Sequence, residues 1–416
     1  MMQQNQVQRV ALLLFAFLFI SLLFPYLPGH GGDNGLWADW SWHIRTYGLR
    51  QAYGSGTNYL PLYQWFLWIY GKLVGHPDHI GLRIGYLRCF TLAFDFIGLW
   101  YACKWLNRRV DPVFFLLFNL LNIAYSYNTV IWGQVDGIMA TLIFVSLYYA
   151  HKQKLVISSL LFLLAVNMKL QAIIFLPLWG LISIYTLVRM RSLRPLLYAL
   201  PAMAFLQALI VLPFLLEPGA AAKVWSVVTH SVDMYPRVSM NAYNLWYWLC
   251  RQNPWDVPDS TRLVAGLSYK TVGLLLFFAG SAAALWPVLR TVWRQWRGDD
   301  SAIDRQKIWL SGALVAVLFF FVNTQMHERY CHAAFIFLAA WSFDRGRFLP
   351  YILFSLAYFL NLEGVLQFMK LPNYHTVIFH PRFVSLLFAL LLFYLFRQLY
   401  PKTKTQDQGP GFQLTQ

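Results

Sequence analysis

The chain has 416 residues, of which 58% are hydrophobic and only 12% charged, and it carries a net charge of +16. Its mean hydropathy is +0.48. A soluble domain carries about 25% charged residues, so this composition excludes an ordinary soluble enzyme. The basic residues fall in short clusters between apolar runs, which is the pattern of loops beside anionic lipid and argues against a nucleic-acid partner.

In chain order, apolar runs cover 8–26, 84–105, 112–129, 137–150, 155–168, 171–188, 195–216, 266–289, 307–323, 331–343, 348–364 and 381–397. About 20 apolar residues span a bilayer as a helix. The expected fold is therefore all-α, a polytopic integral membrane protein of about 12 transmembrane helices. The first run, "VALLLFAFLFISLLFPYLP", has no small-residue cleavage site after it and reads as a retained span. The runs 137–150, 155–168 and 331–343 are short enough to be tilted, broken or re-entrant.

Basic residues set the expected orientation. Arg9 precedes the first run; Lys104, Arg108 and Arg109 follow the second; Lys152 and Lys154 follow the fourth; Arg189, Arg191 and Arg194 follow the sixth. Arg290 to Lys307, Arg345 with Arg347, and Arg397 with Lys402 and Lys404 continue the alternation. Every second loop is basic, which places these loops and both termini in the cytoplasm. The stretch 59–75, "YLPLYQWFLWIYGKLVG", must then stay out of the count; its Trp, Tyr and Lys content suits an interfacial helix. Two long outward loops remain, 27–83 and 217–265, in a single transmembrane domain over 1–400, followed by a disordered cytoplasmic tail over 401–416. No internal repeat is visible. Cys89, Cys103, Cys250 and Cys331 show no CxxC spacing and read as small apolar fillers.

The unusual polar residues gather on the outward side. "GHGGDNGLWADWSWH" carries Asp33 and Asp39, "WGQVDG" carries Gln134 and Asp136, and "VNMKLQ" carries Lys169. "SMNAYNLW" carries Asn241, Tyr243 and Asn244, and "QMHERY" carries His327, Glu328 and Arg329. Ionisable groups at the ends of spans are costly unless paired or functional, and one shared cavity accounts for all five segments. Arg offers phosphate a planar fork and Lys a point charge. A carboxylate near a hydroxyl can act as general base. Together they imply transfer of a phosphate-linked group to a hydroxyl, from a donor whose phosphate sits on a lipid. Asp95, inside the second run, needs a partner, and Arg88, seven residues earlier, lies on nearly the same helical face.

At these residues the chain resembles the GT-C superfamily of polytopic membrane glycosyltransferases, bacterial mannosyltransferase-like and similar in motifs to dolichyl-phosphate-glucose glucosyltransferases. Gly32-Asp33 precedes Trp40 with the family's spacing, and "WGQVD", "SMNAYNLW" and "QMHERY" follow in order, so the likeness covers roughly residues 25–335. The resemblance implies transfer of a hexose, mannose or glucose, from a polyprenyl-phosphate donor to a glycan or lipid-linked hydroxyl acceptor, with inversion, for a cell envelope glycan. It implies a bacterial inner (plasma) membrane protein with its active site on the non-cytoplasmic side. Asp33 would be the general base, with Asp39 as the alternative; a turn residue in a Gly-rich loop is the plainer reading of Asp33. Lys169, His327 and Arg329 would hold the donor phosphate, with Glu328, Gln134 and Asp136 in support, the last two either toward sugar hydroxyls or at a helix entry with Asp136 near the N-terminal dipole. Tyr59, Asn241 and Tyr243 would line the acceptor groove, or belong to an interfacial aromatic belt.

The family's Asp-Tyr-Pro-Pro is Asn58-Tyr59-Leu60-Pro61 here, which opens the reading of an inactive relative. No DxD motif is present and no cofactor or metal is expected. A polytopic transporter or flippase of a lipid-linked glycan is the alternative from another class; it would more often show internal repeats and polar groups at the bilayer midplane.

Overall fold

The computed structural model describes residues 2–107, 110–231 and 233–401, with side chains from residue 6 onward. Arg108, Arg109, Lys402, Lys404 and the tail beyond Pro401 lie outside the described residues. The chain is mostly helical, and its only sheet among those residues is a hairpin of Arg262–Val264 and Leu267–Ser268. Ala265 and Gly266 turn it with φ of 48° and 79°, the left-handed pair that a two-residue hairpin turn demands.

Among the described residues, seven helices are long and apolar enough to cross a membrane: Gln6–Tyr26, Leu170–Met190, Arg194–Leu215, Tyr269–Trp296, Arg305–Val322, Leu349–Leu366 and Pro381–Leu399. An eighth crossing forms if Pro112–Leu120 and Ile123–Trp132, bent by 67°, count as one broken span. The other apolar runs are also helical: Arg88–Trp105, which carries the charged residues Arg88, Asp95 and Lys104, and the shorter Asp136–His151, Leu155–Met168 and Ala334–Arg345. Sixteen residues of helix, as in Asp136–His151, reach about 24 Å, short of a hydrocarbon core of about 30 Å. The stretch 59–75 forms the Pro61–Val74 helix, and its neighbour Gly31–Tyr47 packs beside it.

Local chemistry explains the boundaries. Asp111 caps the helix that starts at Pro112, accepting from the Val113 and Phe114 amides, and Asp304 caps Arg305–Val322 in the same way. Arg305–Val322 is the central helix. Its residues Ile308–Leu318 are buried throughout, and Gly312 lets the Phe337 ring of Ala334–Arg345 come against its backbone. Between Asp136–His151 and Leu155–Met168, Ser146 Oγ donates to the Ser158 carbonyl at 2.8 Å and Ser158 Oγ to that of Ser146 at 2.9 Å. Such bonds replace the hydrophobic drive that is missing between helices in lipid. Outward-facing Leu, Phe and Tyr on Gln6–Tyr26, Arg194–Leu215 and Tyr269–Trp296 remain exposed as an apolar belt.

The bundle has two chemically distinct ends. At one, Arg305 donates to the Trp105 carbonyl at 2.7 Å and pairs with Asp344 at 2.6 Å, Tyr185 bonds the Ser301 carbonyl, and Arg189 lies 3.6 Å from Asp300. This gathers the basic loops. Asp136–His151 runs away from the opposite end and Arg305–Val322 runs toward it, and that end carries the polar segments singled out above.

Candidate functional site

Those polar segments meet around a cavity of about 650 Å³. His30, Asp33 and Tyr59 come from the first long loop, Lys169 and Gln171 from the turn after Leu155–Met168, and Asn241 from the second long loop. His327, Glu328 and Arg329 come from the loop after Arg305–Val322. That last loop is fixed by backbone: the Met240 amide donates to the Met326 carbonyl at 2.9 Å, and His327 forms bridges with Met240 and Asn241. "SMNAY" and "QMHERY" are therefore neighbours in space.

Asp33 sits in the first turn of Gly31–Tyr47, with its side chain 22% exposed toward the cavity. Its Oδ2 accepts from the Trp132 indole N–H at 3.3 Å and from the Gln134 amide, and lies 3.0 Å from His30 Nδ1. Among the described residues no hydrogen bond reaches Oδ1. Burial opposes ionisation of Asp33, but His30 and the Arg329 charge outweigh it and hold the carboxyl at about 2. It is thus a carboxylate at any physiological pH, with one oxygen bound to protein and one free. His30 is the N-cap of the same helix and stacks on Trp132, with ring centroids 5.4 Å apart. Its hydrogen bond to Asp33 raises its pKa above 6.5, against the lowering effect of burial.

A π-helix over Tyr127–Trp132 delivers Trp132 and Gln134. Such turns are rare and often mark functional sites. Gly133 ends it with φ of 90°, a conformation that favours glycine. The start is anchored by Tyr127, which donates to Glu363.

The cations are paired. Lys169 Nζ bonds Asp136 Oδ1 and lies 4.5 Å from the centroid of the Tyr330 ring. Arg329 Nη1 bonds Glu328 at 2.5 Å, Arg329 Nε lies 3.7 Å from Asp136 Oδ2 without a hydrogen bond, and the guanidinium sits over Trp132. Buried charges require such pairing.

Several expected placements change. Gln134 and Asp136 are buried and do not line the cavity; they hold Asp33, Lys169 and Arg329 rather than facing a sugar. Their polar atoms find stronger partners in the protein than in the opening. Asp39 lies on the exposed face of its helix, outside the lining, because six residues turn it away from Asp33. Tyr243 is absent from the lining too: its amide donates to Asn361, and its ring meets Tyr247. Asn244 is buried, donating to the Phe320 carbonyl. His327 lines the cavity, but burial, with Arg329 and Lys169 nearby, pushes its pKa well below 6.5, so it is a neutral donor rather than a cation. Arg88 and Asp95 do not pair: Arg88 donates to the Val130 carbonyl, while Asp95 accepts from Tyr125 and Thr129.

His30, Trp132 and Gln171 were not singled out from the sequence. His30 stands three residues before Asp33, a spacing that faces both inward on one helical turn. Gln171, whose amide donates to the Tyr330 carbonyl at 2.5 Å, carries no such signal.

Around these groups the walls differ. Trp37, Trp40 and Tyr59 form an aromatic face, with ring centroids 5.7 to 6.5 Å from Tyr59. On another side Met168, Leu170, Ile173, Ile174, Leu274 and Phe319 are apolar, and Ile173 and Leu274 are exposed on the outer surface. In comparisons with known proteins, no family model matches the chain and no curated protein is similar to it.

Proposed function

We propose that the chain is a GT-C-type membrane glycosyltransferase that moves a hexose, mannose or glucose, from a polyprenyl-phosphate donor to a hydroxyl acceptor. The observation that carries this reading is the free Oδ1 of ionised Asp33 in one cavity with Arg329 and Lys169. In the step, the acceptor oxygen attacks the anomeric carbon as its proton passes to Asp33 Oδ1. The bond from that carbon to the phosphate oxygen breaks, and its electron pair leaves on the lipid phosphate. Attack opposite the leaving group inverts the anomeric centre. Arg329 and Lys169 stabilise the charge that grows on phosphate, and His327 donates an N–H to it. The low basicity of Asp33 suits a late proton transfer, when the attacking oxygen has become acidic.

The apolar lining supports a lipid donor, since it includes Met168 and Leu170, which flank Lys169, and Ile173 and Leu274, which are exposed on the bundle. Trp37, Trp40 and Tyr59 suit a sugar face. The basic end supports a cytoplasmic placement of both termini, with the cavity on the non-cytoplasmic side of a bacterial plasma membrane. Arg88–Trp105 and the three shorter helices complete about 12 crossings in this arrangement. No metal takes part in the proposed step.

The test is a panel of polyprenyl-phosphate hexoses offered to purified protein with a lipid-glycan extract, beside the same donors offered to proteoliposomes. Sugar transfer or slow donor hydrolysis is the expected result. Movement of intact donor across the vesicle membrane without any bond cleavage would replace the enzyme with a transporter.

A further inference from the structure

The ionic groups around the cavity leave no positive charge to spare. Lys169 and Arg329 face three carboxylates, Asp33, Asp136 and Glu328. At the rim Lys270 pairs with Asp233 at 2.5 Å, so that pair adds nothing. His30, whose pKa is raised by its bond to Asp33, can add a third positive charge, and even then the cluster is only neutral, with every cation already paired. A phosphate entering it adds further negative charge to a desolvated site, which is unfavourable unless a carboxylate gives way.

The three carboxylates are not equally able to move. Asp136 is buried behind the lining and bonded to Lys169. Asp33 is bound by Trp132 and Gln134. Glu328 is buried too, but it lines the cavity beside Arg329, and its described side-chain partners are Arg329, at 2.5 Å, and His327, 3.9 Å away. A carboxylate on a guanidinium presents two oxygens in the geometry that a phosphate presents. Burial already pushes the Glu328 carboxyl above its ordinary 4.5, against the opposing pull of Arg329, so that release from Arg329 favours its neutral form.

Resting on the proposed function, we infer that Glu328 occupies on Arg329 the seat of the donor phosphate. The donor displaces it, and its return expels the lipid-phosphate product. Glu328 is thus a positioning residue that trades affinity for turnover. Truncation of a merely structural partner weakens binding; removal of a competitor strengthens it, and this sign separates the two roles.

The experiment measures the affinity of wild type, Glu328→Gln and Glu328→Asp for a long-chain polyprenyl phosphate and for inorganic phosphate. Glu328→Gln keeps the volume and a hydrogen bond to Arg329 while removing the charge. It is expected to bind lipid phosphate about tenfold tighter, with kcat and KM falling together as product release slows. Glu328→Asp keeps the charge but withdraws it from Arg329, and gives a smaller tightening even if the Gln variant folds poorly. Equal or weaker binding in both variants overturns the inference while leaving the glycosyltransferase reading intact. Tightening for inorganic phosphate alone keeps the role of Glu328 and overturns the lipid donor. Absence of binding in every protein overturns both.

Discussion

The two ends of the bundle hold similar ion pairs and put them to different use. At the basic end Arg305 meets buried Asp344 at 2.6 Å, with Gln306 and the Trp105 carbonyl closing the network. At the other end Arg329 meets Glu328 at 2.5 Å, yet among the described residues its Nε has no hydrogen bond, and the pair lines a cavity. Pair length does not distinguish them. What differs is whether the polar atoms are used up by protein: a closed network fastens helices, and an incomplete one beside an opening is arranged for something that enters.

This contrast can be broken in order of effect. Asp33→Asn removes the free carboxylate oxygen at the cavity and should lower kcat by about 10²- to 10⁴-fold, with donor binding retained in a direct affinity measurement. A comparable loss of binding would make Asp33 a structural residue. Arg305→Ala removes one charge-assisted hydrogen bond to the Asp344 carboxylate and should destabilise the fold by about 1.5 to 3 kcal/mol, read as thermal unfolding in detergent, while the donor affinity of the folded fraction stays unchanged. Arg329→Lys keeps the charge and loses the fork. It should raise the donor KM about tenfold with little change in unfolding temperature, the reverse of the Arg305 result.

Smaller effects sharpen the picture of Asp33. Imidazole NMR should place the His30 pKa above 6.5, and Asp33→Asn should lower it. A raised pKa means that the His30 contribution to stability is complete below pH 6.5 and fades as pH rises through the raised value. Asp33 has the opposite sign: its contribution is present above its ordinary 3.8 and is lost only as pH falls toward 2. Asp39→Asn, on the exposed face, should leave kcat and KM unchanged in the same transfer assay.

Much of the fold was legible because lipid imposes length and apolarity on each span. The runs 195–216 and 381–397 became helices within a few residues of their expected bounds. The broken segment over 112–132 was not legible, since the partners that fix it come from far along the chain: Asn122, at the 67° bend, bonds Tyr351 and Ser355, and Tyr127, at the start of the π-helix, bonds Glu363. At the site, Asp33, Lys169 and the His327–Arg329 triplet stood out because charge is rare in this sequence. Their partners did not: the sequence leaves Asp136 between a sugar ligand and a helix entry; it does open the Asp136–His151 helix, and only packing shows its carboxylate spent on Lys169. Tyr243 failed for a similar reason. Its segment reaches the cavity at Asn241, where φ is 67°, and two residues later the chain has turned away.

The most direct measurement is a structure of the protein with a non-hydrolysable polyprenyl-phosphate sugar bound. The account predicts phosphate density against Arg329 and Lys169, Glu328 swung off Arg329, and the anomeric carbon on the side of Asp33 Oδ1. Phosphate density outside this cavity, with Arg329 still clasping Glu328, would contradict it.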